Sequence, residues 1–152
     1  MSTPSQRLTE LGITLPAVAS PAGSYVPARR TGSLVFTAGQ VPFVDGKLPA
    51  TGKVGAAVTA ETANQLARIC ALNALAAIDG LVGLDAVTGV VKVVGFVASA
   101  PDFTGQPGVI NGASDVLAEV FGEAGKHARS AVGVAELPLD SPVEVELIVE
   151  VG

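Results

Sequence analysis

The last part of the chain, HARSAVGVAELPLDSPVEVELIVEV at residues 127–151, decides the fold. In its final segment, residues 143–151, apolar side chains alternate with three glutamates. Alternation with a period of two is typical of a β-strand that buries one face. Residues 129–137 predict a second strand, with its valines on one face and Arg129 on the other. We expect the valines of both strands to lie together under a layer of helices.

Working outward from this stretch, the spacing of apolar, capping and turn residues predicts the other elements. In chain order we expect a short helix at 5–11, strands at 25–30 and 34–37, a loop at 41–55, an amphipathic helix from the Thr59 cap to Gly80, a strand at 87–99, a loop at 101–111 and a helix at 112–121. The order ββαβαββ predicts an α+β domain of two layers, with both helices on one face of one sheet. We place this domain at residues 23–152, after an N-terminal arm at residues 1–22.

The other face of the predicted sheet, made of Ala, Gly and carboxylates with Arg129 at its edge, has no element left to cover it. Small side chains allow another backbone to approach, so packing between copies of the chain is one expectation, and solvent exposure is the alternative. If the terminal strands form a plain hairpin, Arg129 and Glu144 lie on the order of 20 Å apart in one chain. A site that uses both residues then takes them from different subunits.

Composition excludes several classes of function. The 152 residues carry a formal net charge of -5, and Arg29-Arg30 is the longest basic run, so we expect no nucleic-acid partner. The most apolar stretch, residues 84–100, is interrupted by Asp85 and Lys92, and the first residues lack a secretory signal, so we expect no membrane segment. A single cysteine forms no intramolecular disulfide, which fits a reducing cytoplasm.

Three segments resemble the RidA/YjgF family of reactive-intermediate deaminases: GQVPF at residues 39–43, Asn111-Gly112, and residues 127–151. The last is the most specific, because an Arg-Ser pair begins a strand, a Leu-Pro turn follows, and a Val-Glu-Val-Glu strand closes the chain. The resemblance covers nearly the whole chain and implies a chorismate-mutase-like fold with a mixed sheet, assembled as a homotrimer with three clefts between subunits. It implies hydrolysis of 2-imino or 2-enamino acids to 2-keto acids and ammonium. The N-terminal arm and the 101–111 loop are similar to a distinct subgroup.

The resemblance also implies site residues, by position. Arg129 matches the arginine that binds the substrate carboxylate, and Glu144 matches the acidic residue near the attacking water. Tyr25, Gly39 and Asn111 complete the substrate-binding set.

Two positions depart from the family pattern. Ala38 stands where relatives often have Ser, and Ala131 where many have Cys. A pocket hydroxyl and a thiol are therefore missing, which bears on substrate preference and on the level of activity.

The chemistry of these side chains fits the implied reaction, although each has a plainer interpretation. The planar guanidinium of Arg129 suits a carboxylate, but an ion pair between subunits, with Glu146 or Glu150, is the alternative. Glu144 can order a water, yet alternating glutamates are ordinary on a polar strand face. Tyr25 is equally compatible with simple packing.

We expect no metal and no cofactor. His127 is the only imidazole, so the chain cannot assemble a histidine-based metal site or triad, and we expect this ring on the surface. Cys70 falls on the apolar stripe of the first long helix and is expected in the core rather than as a nucleophile.

Three functions remain after these steps. The first is an imine or enamine deaminase acting on a small carboxylate-bearing metabolite. The second is a non-catalytic trimer that binds such metabolites or regulates in response to them, motivated by Ala38 and Ala131. The third, an RNA-directed role, is disfavoured by the net charge.

Overall fold

One mixed sheet with helices on one face forms the protein in a computed structural model, which describes residues 2–152. The helices are α1 (Pro4–Glu10), α2 (Ala60–Val82) and α3 (Gln106–Phe121), and the strands are β1 (Ala28–Thr31), β2 (Leu34–Thr37), β3 (Val87–Ala98), β4 (Ala128–Val134) and β5 (Val143–Val151). The strand order is β1-β2-β5-β3-β4, and only β3 and β4 run parallel. The predicted two-layer α+β fold is confirmed.

The long helix α2 is the core helix of the fold. Thr59 caps it by accepting a hydrogen bond from the backbone N–H of Thr62 at 3.1 Å, as predicted, and the helix continues to Val82, two residues past the predicted end. It is long and apolar enough to cross a membrane by length and composition, but 56% of its most apolar window is buried inside this fold. Packing against the sheet therefore accounts for its apolar character.

The second long helix, α3, begins at Gln106 rather than at Gly112, so the prediction of a loop through residue 111 is wrong. Proline fits the first turn of a helix because its missing N–H would have no partner there, and Pro107 occupies that turn. The extra turn buries Ile110 against β3, where a Cβ on Gly95 would lie 2.5 Å from the isoleucine side chain. The sequence did not indicate this turn, because the Pro and Gly residues in and around it are typical of loops.

The terminal strands do not form a hairpin. β5 lies between β2 and β3, whereas β4 lies at the sheet edge, parallel to β3, with Arg129 opposite Val93. Since Val93 is fully buried on the helix side, the predicted faces of β4 are wrong. Arg129 points towards the helices, and Val132 is 44% exposed on the opposite side.

The face of the sheet away from the helices has no covering element among residues 2–152. Its composition differs from the prediction, because large apolar side chains accompany the glutamates of β5. Phe36 is 42% exposed there, and the face also includes Phe96, Val132 and Ile148. An open apolar face of this kind is typical of a surface that binds another protein.

The N-terminal segment begins with α1, close to the predicted helix. Leu8 of α1 belongs to the hydrophobic core, and both the backbone N–H and the hydroxyl of Ser5 donate to the carboxylate of Asp85, at 2.8 and 2.6 Å. Met1, the first residue of the predicted arm, lies outside the described residues.

Candidate active site

Arg129 is held against α3 by three neutral acceptors. Its Nη1 donates to Oδ1 of Asn111 at 2.8 Å and to Oγ of Ser114 at 3.1 Å, and its Nη2 donates to the carbonyl of Pro107 at 3.4 Å. The predicted pair of Arg129 and Asn111 is therefore in direct contact, and the arginine forms no salt bridge within residues 2–152. Two of its five N–H donors, one on Nε and one on Nη2, have no acceptor in this part of the chain. Two donors are what a bidentate carboxylate requires.

Ser114, which contacts Arg129, is itself hydrogen-bonded to His127. Nε2 of His127 lies 2.9 Å from Oγ of Ser114, and Nδ1 lies 2.6 Å from the carbonyl oxygen of Gly125. The histidine is half-buried in this network, so its predicted place on the surface is wrong. Two regularities in the sequence could have indicated the network: His127 and Arg129 share one face of a strand, and Ser114 follows Asn111 by three residues on a helix.

Tyr25, Gly39 and Glu144 line a second region, a cavity of about 320 Å³. A Cβ at residue 39 would collide with the carboxylate of Glu144, so glycine at this position allows that carboxylate to lie directly against the backbone. The ring of Tyr25 forms part of the wall, and its hydroxyl accepts a hydrogen bond from the backbone N–H of Ala22 at 3.1 Å. The structure thus brings together three of the predicted residues, and Pro138 and Leu139 complete an apolar rim.

The carboxylate of Glu144 has no hydrogen-bond partner among residues 2–152. Partial burial raises its pKa above the ordinary value of 4.5, and the nearby charge of Glu146 raises the pKa further. Both effects favour the protonated form. A carboxyl group shifted in this direction is suited to exchanging protons nearer neutral pH.

The two regions do not meet within one chain. Arg129 pairs with Val93 of β3, whereas Glu144 pairs with Phe96, three residues further along β3 and on its other side. The strand spacing and rise place the two Cα atoms roughly 14 Å apart, rather than the 20 Å of a hairpin. The side chains also leave opposite faces of the sheet. Either region alone is an incomplete site for a reaction that needs both residues.

Two further predictions can be placed in the structure. Cys70 is fully buried, which confirms its predicted core position, and burial raises the pKa of its thiol. Ala131 lies two residues after Arg129 and packs against the core, so it faces the helices. Within residues 2–152 no group of three or more His, Cys, Asp or Glu side chains is arranged to hold a metal ion.

Comparison with known proteins decides the family. The sequence pattern of the family described as "YjgF/chorismate mutase-like, putative endoribonuclease" matches residues 5–151. The chain belongs to the YjgF/RidA family. Another similar protein, Protein TCP17 of Trypanosoma cruzi, is 46% identical over 147 residues, which cover 95% of this chain and 92% of TCP17.

Solved structures agree with this membership in the YjgF/RidA family. Protein Atu1372 of Agrobacterium tumefaciens is 44% identical, with a TM-score of 0.90, and the match covers 98% of this chain and 92% of that one. TdcF of E. coli, solved with bound serine, is 28% identical with a TM-score of 0.66, and the match covers 91% and 96% of the two chains.

Proposed function

We propose that this protein hydrolyses 2-imino and 2-enamino acids to 2-keto acids and ammonium, at clefts between the subunits of a cytosolic homotrimer. The observation that carries the proposal is Arg129, a guanidinium that has, among residues 2–152, two free donors and only neutral partners. A fixed cation of this kind favours a small carboxylate. TdcF, a relative solved with bound serine, supports a ligand that bears a carboxylate.

The open apolar face and the separation of the two regions support the assembly. In a cyclic trimer each subunit meets its neighbours through different patches, so the Arg129 region of one copy can face the Glu144 cavity of the next. Assembly then completes a site that the single chain leaves in two parts.

In the proposed reaction Arg129 binds the carboxylate and orients the adjacent C=N bond. Glu144 holds a water and takes its proton as the water oxygen bonds to the imine carbon. Because the reacting imine is protonated (C=NH2+), addition of the water oxygen leaves an amino group on the carbon. The glutamic acid then returns its proton to this amino group, the C–N bond breaks, and the hydroxyl proton passes to the departing ammonia to give ammonium. An enamine first takes a proton from solvent at its carbon, which gives the same protonated imine. These reaction steps require no metal and no cofactor.

Non-catalytic carboxylate binding is a second candidate, favoured by Ala38 and Ala131, which remove a hydroxyl and a thiol that relatives often have. Binding of 2-keto acids with no turnover of any imino acid distinguishes it from the deaminase.

An RNA substrate, suggested by the family description, is not part of the proposal. The net charge of -5 disfavours a polyanion, since affinity for nucleic acid depends on clustered cations. Cleavage of RNA that is lost with Arg129→Ala, without deaminase activity, would favour that function instead.

The test uses freshly generated 2-aminoacrylate and follows pyruvate and ammonium. We expect turnover by the wild-type protein, and a loss of at least about 100-fold in kcat/KM for Arg129→Ala, because a charge-assisted bidentate contact is removed. Arg30→Ala is the matched control, because the side chain of Arg30 is exposed and its one hydrogen bond among residues 2–152 goes to the carbonyl of Gly32. An unchanged rate in Arg129→Ala would overturn the assignment.

A further inference from the structure

We propose that Ser114 and His127 are positioning residues that fix the orientation of the Arg129 guanidinium through a one-way chain of hydrogen bonds. The structural part of this inference stands on the geometry alone, whereas its consequence for substrate binding rests on the proposed function.

The direction of each hydrogen bond follows from the carbonyl oxygen of Gly125, which can only accept. Because Nδ1 of His127 lies 2.6 Å from this oxygen, Nδ1 carries the proton. In the neutral ring Nε2 is then an acceptor, so the hydroxyl of Ser114, 2.9 Å away, donates to it. This leaves the lone pairs of the serine oxygen to accept from Nη1 of Arg129 at 3.1 Å.

The opposite tautomer is incompatible with the same positions. It would place a nitrogen lone pair against the carbonyl lone pairs of Gly125 at hydrogen-bond distance. It would also make Nε2 a donor to Ser114, whose own hydroxyl hydrogen would then have no acceptor among residues 2–152. The Nδ1–H ring therefore directs the Ser114 proton to Nε2 and away from Arg129, and the serine oxygen faces the arginine as an acceptor.

Gly125, whose carbonyl oxygen ends the chain of hydrogen bonds, is held rigidly against α3. Gly125 is buried, and a Cβ at this position would lie 2.5 Å from the carbonyl oxygen of Leu117, so its turn is pressed against the helix that carries Ser114 and Asn111. Both N–H groups of Nη1 are thus fixed by acceptors on α3. The guanidinium plane is set by this pair, which leaves Nε–H and one N–H of Nη2 available for an incoming carboxylate.

The tautomer gives a test that does not depend on any activity. His127 is the only histidine, so its ring signals in a long-range ¹H–¹⁵N spectrum need no assignment. We expect the Nδ1–H tautomer, the minor form of a free imidazole, and a shift of the Nε2 resonance in Ser114→Ala. An Nε2–H ring at neutral pH would overturn the proposal even if the enzyme is active.

Kinetics test the positioning role. Removal of one hydrogen bond to a charged group predicts about a tenfold rise in KM for the imine, and in the Kd of a 2-keto acid, for Ser114→Ala and His127→Phe, with a smaller change in kcat. His127→Gln keeps an amide acceptor for Ser114 and should lose less than His127→Phe. Ser33→Ala, at an exposed turn away from both regions, is the control.

The outcomes separate the two proposals. If the Nδ1–H tautomer is present but wild-type protein neither binds keto acids nor hydrolyses imines, the proposed function fails and the hydrogen-bond chain stands. If wild-type protein turns over imines and Ser114→Ala matches it in KM, the positioning role is wrong.

Discussion

At the scale of single residues, Glu144 links the geometry of the cavity to a pH dependence. The proposed base must be ionised to take a proton from water, so activity should rise as pH increases through its pKa. Burial and the charge of Glu146 both raise that pKa, so the acid limb of kcat/KM should lie above the ordinary glutamate value of 4.5.

Removing the charge of Glu146 should shift the acid limb of the pH profile in a direction that the sign of this charge determines. Glu146→Gln eliminates the neighbouring charge, which favours the ionised form of Glu144, so we expect the acid limb of the pH profile to shift to lower pH. Glu150→Gln, on the same face but further along β5, is the matched control. A limb that stays in place or moves upward in Glu146→Gln would show that another group is being titrated.

The resemblance to the family nominated Arg129 and Glu144, but the sequence did not reveal what holds them. The segments that carry the resemblance are short and local, so they indicate single positions and not the contacts of those side chains. His127 was misplaced because its partners, Ser114 and Gly125, are brought to it by a helix start and a turn that the sequence analysis did not resolve. Local patterns reveal which groups are available, and long-range packing determines their contacts.

At the scale of elements, the error in the terminal strands has a topological origin. Residues 138–142 contain turn signals, which favoured a hairpin between β4 and β5. The alternation of β3, α3 and β4 along the chain is instead a βαβ unit, whose strands run parallel and side by side. That pairing places β4 at the sheet edge and reverses its buried face. The buried face of β5 was predictable because every second residue from Val143 to Val151 is apolar.

The contact between α2 and α3 gives a prediction about stability. A Cβ on Gly112 would overlap the backbone carbonyl oxygen of Asn64, which cannot move without displacing α2. Gly112→Ala should therefore destabilise the fold by about 3 kcal/mol or more. Gly108→Ala is the matched control: it lies on the same helix with no atom within 4 Å of a new Cβ, and should raise stability by about 0.5 kcal/mol.

Urea denaturation at a fixed protein concentration measures both variants, since assembly makes stability depend on concentration. Equal stability of Gly112→Ala and Gly108→Ala would contradict the close approach of the two helices. Because Asn111 adjoins Gly112 on α3, a displaced helix should also weaken the hydrogen bond between Asn111 and Arg129.

At the scale of the whole molecule, the open apolar face predicts the assembly state. Sedimentation should give about 45 kDa, three copies of the 15.1 kDa chain. Val132→Glu places a charge on the exposed part of this face and should lower the measured mass. A wild-type protein that sediments as a single chain would contradict both the assembly and the shared site.

Mixed assemblies test whether each site draws residues from two chains. When Arg129→Ala and Glu144→Gln chains are co-expressed in equal amounts, a site between neighbours regains both native residues in about one quarter of cases, whereas a site within one chain never does. We therefore expect about a quarter of wild-type activity from two inactive variants. As the control, in an equal mixture of wild-type chains and double-variant chains about one quarter of all sites should be native if the sites lie between subunits, and about one half if each lies within a chain. Mixed assemblies without recovered activity would place the whole site in one subunit, against the opposite directions in which Arg129 and Glu144 leave the sheet.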